Sequence, residues 1–238
     1  MSKPSSPAPS ARVALHADTV RAAIFDLDGV ITCTATLHFE AWRDAVAEIL
    51  PGAAPLGAEE YRARVDGRSR ADGAAHLAGQ RGAADEAGRL ADRKNALYRQ
   101  KLEEGRAALA PGAQALLSGL RRRGILTGLF TASRNASSVL GAMSLKPCFD
   151  AVIDGETARR ERLASKPAPD LPRACAGRLG VRPDACAGFE DAAAGIEALA
   201  AAGFGMVVGI AGDDRAAKLR AAGAGHVVPS LAFVGIVP

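Results

Sequence analysis

The sequence predicts an α/β protein, a doubly wound and mostly parallel sheet carrying an inserted all-helical block. Three observations carry that expectation. An apolar run beginning near residue 20 ends in Asp26, Asp28 and Gly29, as a buried strand does on reaching a loop. From about 58 to 105 the apolar residues recur at helical spacing, as in Leu90, Leu97, Tyr98 and Leu102, and no β run interrupts them. After Gly105 and Pro111-Gly112 the pattern changes to alternating helix and strand.

The elements follow in order. Met1 to Ser10 is rich in Pro and Ser and lacks the apolar stretch of a secretory signal, so residues 1–18 are expected to be a disordered tail. The first strand covers roughly 20–27. A helical pattern runs from near Leu37 to about Leu50 and is broken by Pro51-Gly52 and Pro55-Leu56-Gly57. Helices are then expected at about 112–123, 135–142, 170–179, 191–202 and 214–222. Strands are expected at Ile125 to Phe130, near Ala151 to Ile153, at 185–189, at Met206 to Val208 and at His226 to Val228. These assignments place the sheet domain at 19–36 and 108–238 and the helical block at 37–107. An insert at that point would hang over the carboxyl ends of the strands, where open α/β sheets bind ligands.

Composition removes several classes of function. The 238 residues are 48% apolar, enough for a real core, yet no apolar run approaches the roughly 20 residues of a membrane helix. The net charge is only +4, and aromatic residues make up 4%, whereas a nucleic-acid reader would interleave clustered cations with aromatics. The densest basic run, Arg121-Arg122-Arg123, lies just before Gly124, where cations suit the end of a helix. Cys33, Cys148, Cys175 and Cys186 have no metal-ligand spacing, and scattered thiols suit a reducing cytoplasm. Gly203, Gly205 and Gly209 surround a strand instead of opening a helix, so they do not form a dinucleotide motif.

Four segments carry chemistry. Asp26 and Asp28, two apart on a strand, would point to one face, and their mutual repulsion calls for a cation or a shared proton. One could attack while the other handles a proton. Thr131-Ala132-Ser133-Arg134-Asn135 puts hydroxyls and free amides at a strand end, either as an anion cradle or as a helix cap. Lys166, in Ser165-Lys166-Pro167-Ala168-Pro169-Asp170, precedes a helix and could neutralise a phosphate or a carboxylate. Glu190 and Asp191 end a strand, either as hard oxygen ligands for magnesium or, for Asp191, as a helix cap.

The order of these segments, each at a strand end, resembles the haloacid dehalogenase superfamily of aspartate-nucleophile phosphotransferases. Within it the chain is most similar to the β-phosphoglucomutase branch, over about residues 20–235. Phe25 to Thr32, His38, Trp42, Asp66 to Arg70, Arg93-Lys94-Asn95 and the segments around Thr131, Lys166 and Glu190 carry the likeness. The resemblance implies a Rossmann-like core and a helical cap. Asp26 would attack phosphorus and become an aspartyl phosphate. Asp28 would protonate the leaving oxygen and later deprotonate the acceptor hydroxyl, and its backbone carbonyl would help to hold Mg2+. Asp26, Glu190 and Asp191 would complete the metal shell. Thr131, Ala132 and Lys166 would hold the transferring phosphoryl group. Gly67, Arg70, Lys94 and Asn135 match positions that engage substrate or order the closed site, and His38 would couple cap closure to Asp28.

The specific expectation is a mutase converting β-glucose 1-phosphate to glucose 6-phosphate through a bisphosphate. A sugar-phosphate phosphatase using the same core is the alternative. A dehalogenase would not need Asp28 as a proton donor. The implied setting is a cytoplasmic monomer acting on a small sugar phosphate, without nucleic-acid or membrane partners. Three positions depart from the branch: Cys33 where an Asp is usual, Asp66 where a glucose-phosphate mutase commonly has lysine, and Gly73 in place of a serine that often contacts substrate.

Overall fold

The computed structural model describes residues 12–238. In chain order the elements are β1 (Val13–His16), β2 (Ala22–Phe25), α1 (Ala35–Ile49), α2 (Ala58–Arg64), α3 (Arg70–Gln80), α4 (Ala87–Glu103), α5 (Ala113–Arg122), β3 (Leu126–Phe130), α6 (Ala136–Ala142), β4 (Ala151–Ile153), α7 (Gly155–Glu161), α8 (Asp170–Arg178), β5 (Cys186–Glu190), α9 (Ala193–Ala202), β6 (Met206–Ile210), α10 (Asp213–Ala221), β7 (His226–Val228) and β8 (Val234–Val237).

Six strands form one parallel sheet in the order β4-β3-β2-β5-β6-β7. The chain winds outward on one side of β2, returns, and winds outward on the other, which is the doubly wound arrangement that the sequence predicts. The switch point lies beside β2, so a crevice opens at its carboxyl end between β3 and β5. β2 is buried along its whole length, as a central parallel strand must be. Its period of two divides it between two cores. Ala23 and Phe25 join the side chains of α5 and α6, whereas Ala22 and Ile24 join those of α8 and α9. Phe25 stacks on Phe189 of β5 with ring centroids 4.6 Å apart, an arrangement that adds roughly 0.5–1.5 kcal/mol to the burial itself and fixes β2 against β5.

Helices α1 to α4 have a hydrophobic cluster of their own, built around Leu37, Trp42, Val46, Tyr61, Leu77, Leu90 and Tyr98. The buried side of α4 is Leu90, Lys94, Leu97 and Tyr98, a helical stripe in which one lysine occupies an apolar place. Two chain segments join this unit to the sheet domain, and they run side by side. Thr32 and Leu109 form an antiparallel bridge, Cys33 N donates to Ala108 O, and Ala110 N donates to Ile31 O. The helices begin at Ala35, two residues before the expected boundary.

One expectation about the fold needs correction. Within the segment expected to be a disordered tail, Val13–His16 is a strand that pairs in parallel with β8, Val13 opposite Val234 and Leu15 opposite Ile236. Val13 and Leu15 are buried in the core shared with α5, and two apolar residues at a spacing of two are enough to anchor it. The remainder of that segment, up to residue 11, lies outside the described residues. The unexpected helix α7 is a short polar turn capped by Asp154, whose carboxylate accepts from Thr157 N at 2.8 Å.

Candidate active site

β2 stops at Phe25, so Asp26 and Asp28 leave the strand on a tight loop instead of projecting together from it. The loop closes through Ile31 N and Thr32 N, both donating to Leu27 O, and Gly29 N donating to Thr32 O. Gly29 has φ +92°, and a Cβ there would collide with the Asp191 carboxylate, so the loop needs glycine on both counts. The two acids then take different partners. Asp26 faces the sheet domain and Asp28 faces the helical unit.

Asp26 Oδ1 lies 2.5 Å from Lys166 Nζ, and the same ammonium lies 2.7 Å from Glu190 Oε2. Lys166 is buried and sits over the Phe130 ring, 4.3 Å from its centroid. Burial alone would push its ammonium down, but Asp26 and Glu190 outweigh burial and hold it above the ordinary lysine value. Carboxylate oxygens of Asp26, Glu190 and Asp191 lie within 4.8 Å of one another. Burial, and next the Glu190 charge, drive Asp26 well above the usual carboxylate range. Burial, then Asp66 and Glu190, do the same to Asp191. These buried acids exceed the cations beside them, and all their donor atoms are hard oxygens. The residues therefore fit a magnesium ion.

Asp191 does not cap α9, since Ala192 holds that position with no side-chain cap; Glu190 Oε1 instead accepts from Ala192 N at 3.2 Å. Gly195 allows this, because a Cβ there would run into the Glu190 carboxylate. The segment after β3 likewise makes no side-chain cap on α6. Thr131 Oγ1 accepts from Ser133 N at 3.1 Å, which shapes the turn and leaves Thr131 and Ala132 lining the cavity.

Asp28 Oδ1 accepts from Thr34 Oγ1 at 2.5 Å and from Tyr98 Oη at 3.3 Å. His38 Nε2 is also 3.3 Å away, outside hydrogen-bonding alignment, while His38 Nδ1 lies 2.7 Å from Lys94 Nζ. Burial pushes the Asp28 carboxyl up, but His38, Thr34 and Lys94 together prevail and hold it at about 2. Burial, then the Lys94 charge, pushes His38 down. Lys94, under the Tyr98 ring at 4.7 Å, is pushed down by burial to about 7.

Every residue singled out from the sequence for a catalytic, phosphate, metal or substrate role lines one cavity of about 70 Å3 between the sheet domain and the helical unit. Arg70 and Arg134 both face it, and burial, then Arg134, push the Arg70 guanidinium down. Of the departures, Asp66 is in the lining, and burial, then Glu190, raise its carboxyl to about 6. Gly73 is outside it, packed where a Cβ would press on Val65 and Trp42 at 3.0–3.1 Å. Cys33 is exposed on the first connecting segment, its N–H bonded to Ala108 O of the second. Sequence reasoning missed Thr34 and Tyr98 and gave no role to Asn95, which carries part of the likeness and accepts from Asn135 Nδ2 at 2.8 Å across the domain boundary. Tyr98 and Asn95 are one helical turn from Lys94 or next to it, which is the signal that could have found them.

A buried aspartate salt-bridged to a lysine, an acidic cluster beside it and a second acid under the helices suit phosphoryl transfer by an aspartate nucleophile. Comparison with known proteins agrees. The model of the haloacid dehalogenase-like hydrolases matches residues 20–203, and the chain belongs to that family. A β-phosphoglucomutase from Mycobacterium bovis is 35% identical over 97% of each chain. A fructose-1-phosphate phosphatase from Escherichia coli is 31% identical over 77% of this chain and 93% of that one. The crystal structure of a β-phosphoglucomutase from Clostridium difficile superposes with a TM-score of 0.77 at 30% identity, covering 90% of this chain and 92% of the other. No helix among the described residues is long and apolar enough to cross a membrane.

Proposed function

We propose that this enzyme is a magnesium-dependent β-phosphoglucomutase, which converts β-glucose 1-phosphate to glucose 6-phosphate through a bisphosphate. The observation that carries the reading is the division of labour between the two acids. Asp26 is held by a lysine next to an acidic cluster, whereas Asp28, 15% exposed, accepts from Thr34, just before α1, and from Tyr98 of the helical unit, with His38 of that unit 3.3 Å away. An acid whose setting depends on the helical unit acts at full strength only when that unit is closed and water is excluded, which favours transfer to a sugar hydroxyl over hydrolysis.

On the phosphorylated enzyme, ionised Asp28 takes the proton of the sugar 6-hydroxyl as that oxygen attacks the phosphoryl group on Asp26. The Asp26–phosphorus bond breaks, and the bisphosphate forms. After the sugar turns over, Asp26 attacks the phosphorus of the 1-phosphate, and Asp28 returns its proton to the departing 1-oxygen. Lys166 neutralises charge on the transferring group, to which Thr131 Oγ1 and the Ala132 amide donate. Arg70, with Arg134 and Asn135, takes the phosphate at the far end of the sugar, and Gly67, with φ +74° and a Cβ position 3.0 Å from Ala192, lines the same cavity. Asp26, Glu190, Asp191 and the Asp28 carbonyl would hold Mg2+, which when bound offsets negative charge on the phosphoryl oxygens.

The similarity to a fructose-1-phosphate phosphatase, together with Asp66 in the lining, supports a second reading, a sugar-phosphate phosphatase with water as acceptor. A coupled assay with β-glucose 1-phosphate, a trace of the bisphosphate and Mg2+ separates them. Glucose 6-phosphate supports the mutase, and release of inorganic phosphate without it rejects the mutase in favour of the phosphatase.

A further inference from the structure

Three carboxylates meet at the acidic cluster, but Lys166 touches only two of them, Asp26 and Glu190. The third, Asp191, has a different cation. Arg215, in the first turn of α10, donates from Nη1 to the Asp191 backbone carbonyl at 3.1 Å, and the same nitrogen lies 3.8 Å from Asp191 Oδ2. The carbonyl needs that donor. Ala192 is extended, and the hydrogen bonds of α9 start from Ala192 O, which accepts from Gly195 N and Ile196 N, so Asp191 O stands outside the helix ladder. Asp191 itself is buried, and its carboxylate is confined on the Gly29 side, where no Cβ could fit. One guanidinium therefore hydrogen-bonds the main chain and stands at ion-pair distance from the side chain of a single residue at the bend between β5 and α9.

We propose that Arg215 is a positioning residue that fixes Asp191 in the orientation in which it holds the metal ion. This rests on the metal-binding role proposed above for Asp26, Glu190 and Asp191. Arg215 is partly exposed at the rim of the cluster, its side chain 32% accessible against 6% for Asp191, and it does not line the cavity. It acts through Asp191 and touches no reacting group. The sign of its effect on metal binding distinguishes orientation from charge. A guanidinium beside a cation site repels the ion, so a purely electrostatic neighbour would weaken binding, and its removal would tighten it. An outer residue that orients a ligand has the opposite effect, and its loss typically weakens binding 10–100-fold.

The test is Mn2+ binding to the intact protein, read from the paramagnetic resonance signal of the free ion, with Mg2+ as competitor. Wild type and Asp191→Asn set the range: no binding by wild type would reject the metal-site reading itself, independently of Arg215. Arg215→Ala is expected to weaken Mn2+ binding about tenfold or more with circular dichroism unchanged, and Arg215→Lys, which keeps one donor and the charge, to recover part of the loss. Unchanged or tighter binding in a folded Arg215→Ala protein would overturn the proposal, as would a lowered melting temperature with wild-type affinity. Should Arg215→Ala fail to fold, Arg215→Gln carries the same expectation and the same refutation.

Discussion

At the scale of single residues, the site is a set of buried charges held against one another. Replacing Asp26 by Asn removes the nucleophile, and turnover is expected to fall at least about 10⁴-fold with the fold intact; a near-normal rate would eliminate Asp26 from the chemistry. Asp28→Asn removes only the proton carrier, and a loss of about 10²–10⁴-fold is expected in steady-state rates. Lys94 yields a prediction about stability. Its folded-state pKa, about 7, lies below the ordinary 10.5. The cost of burying it is therefore absent above the unfolded value and grows as pH falls toward 7. Lys94→Met should accordingly stabilise the protein more at pH 6.5 than at pH 10.5, by at least about 1.4 kcal/mol, the worth of one pKa unit. Denaturant unfolding at the two pH values checks this, and an equal gain at both would contradict it. The sequence exposed some of this and hid the rest. Asp26 and Thr131 are readable because each follows an apolar strand, and Glu190 because it ends one, where side chains must reach the crevice; Lys166 lies in the loop between α7 and α8 and is readable from its place before the prolines that open α8. The approach of Lys94 to His38 spans 56 residues of sequence, and only the packing of α4 on α1 brings it about.

At the scale of elements, burial patterns account for both the successes and the omissions of sequence reading. β3, β5 and β6 are mostly apolar runs, buried along nearly their whole length, and are legible as such. β1 and β8 are four residues each, and half of β1 faces solvent, so the pair is recognisable only once the two ends of the chain meet. β1 is nevertheless structural. Leu15→Ala should cost about 2–5 kcal/mol, measurable as a reduced denaturation midpoint, because Leu15 is fully buried in the core under α5. A change below about 0.5 kcal/mol would show that β1 adds nothing to the fold. The helical unit contributes Arg70 from the first turn of α3. Arg70→Ala is expected to reduce sugar-phosphate turnover about 10–100-fold, and hydrolysis of a small aryl phosphate far less; equal losses would remove Arg70 from substrate binding.

For the whole molecule, the switch point of the sheet explains why residues so far apart in sequence converge. β2, β3 and β5 are neighbours whose ends supply Asp26, Thr131 and Glu190, and the register Phe25 with Leu129 and Phe189 sets those ends level. Chelation acts at this scale as well. Treatment with EDTA should stop turnover and added Mg2+ restore it, whereas indifference to chelation would remove the metal from the acidic cluster.

The two segments that join the helices to the sheet leave and re-enter it side by side, bonded to each other through Thr32 and Leu109. The helical unit is thus an insertion that enters and leaves the sheet domain at one point. A short turn spliced from Thr32 to Leu109 would leave every sheet strand in register while discarding α1 to α4. Such a truncated catalyst would retain Asp26, Lys166, Glu190 and Asp191 yet forfeit selectivity, becoming an open scavenger of phosphate esters.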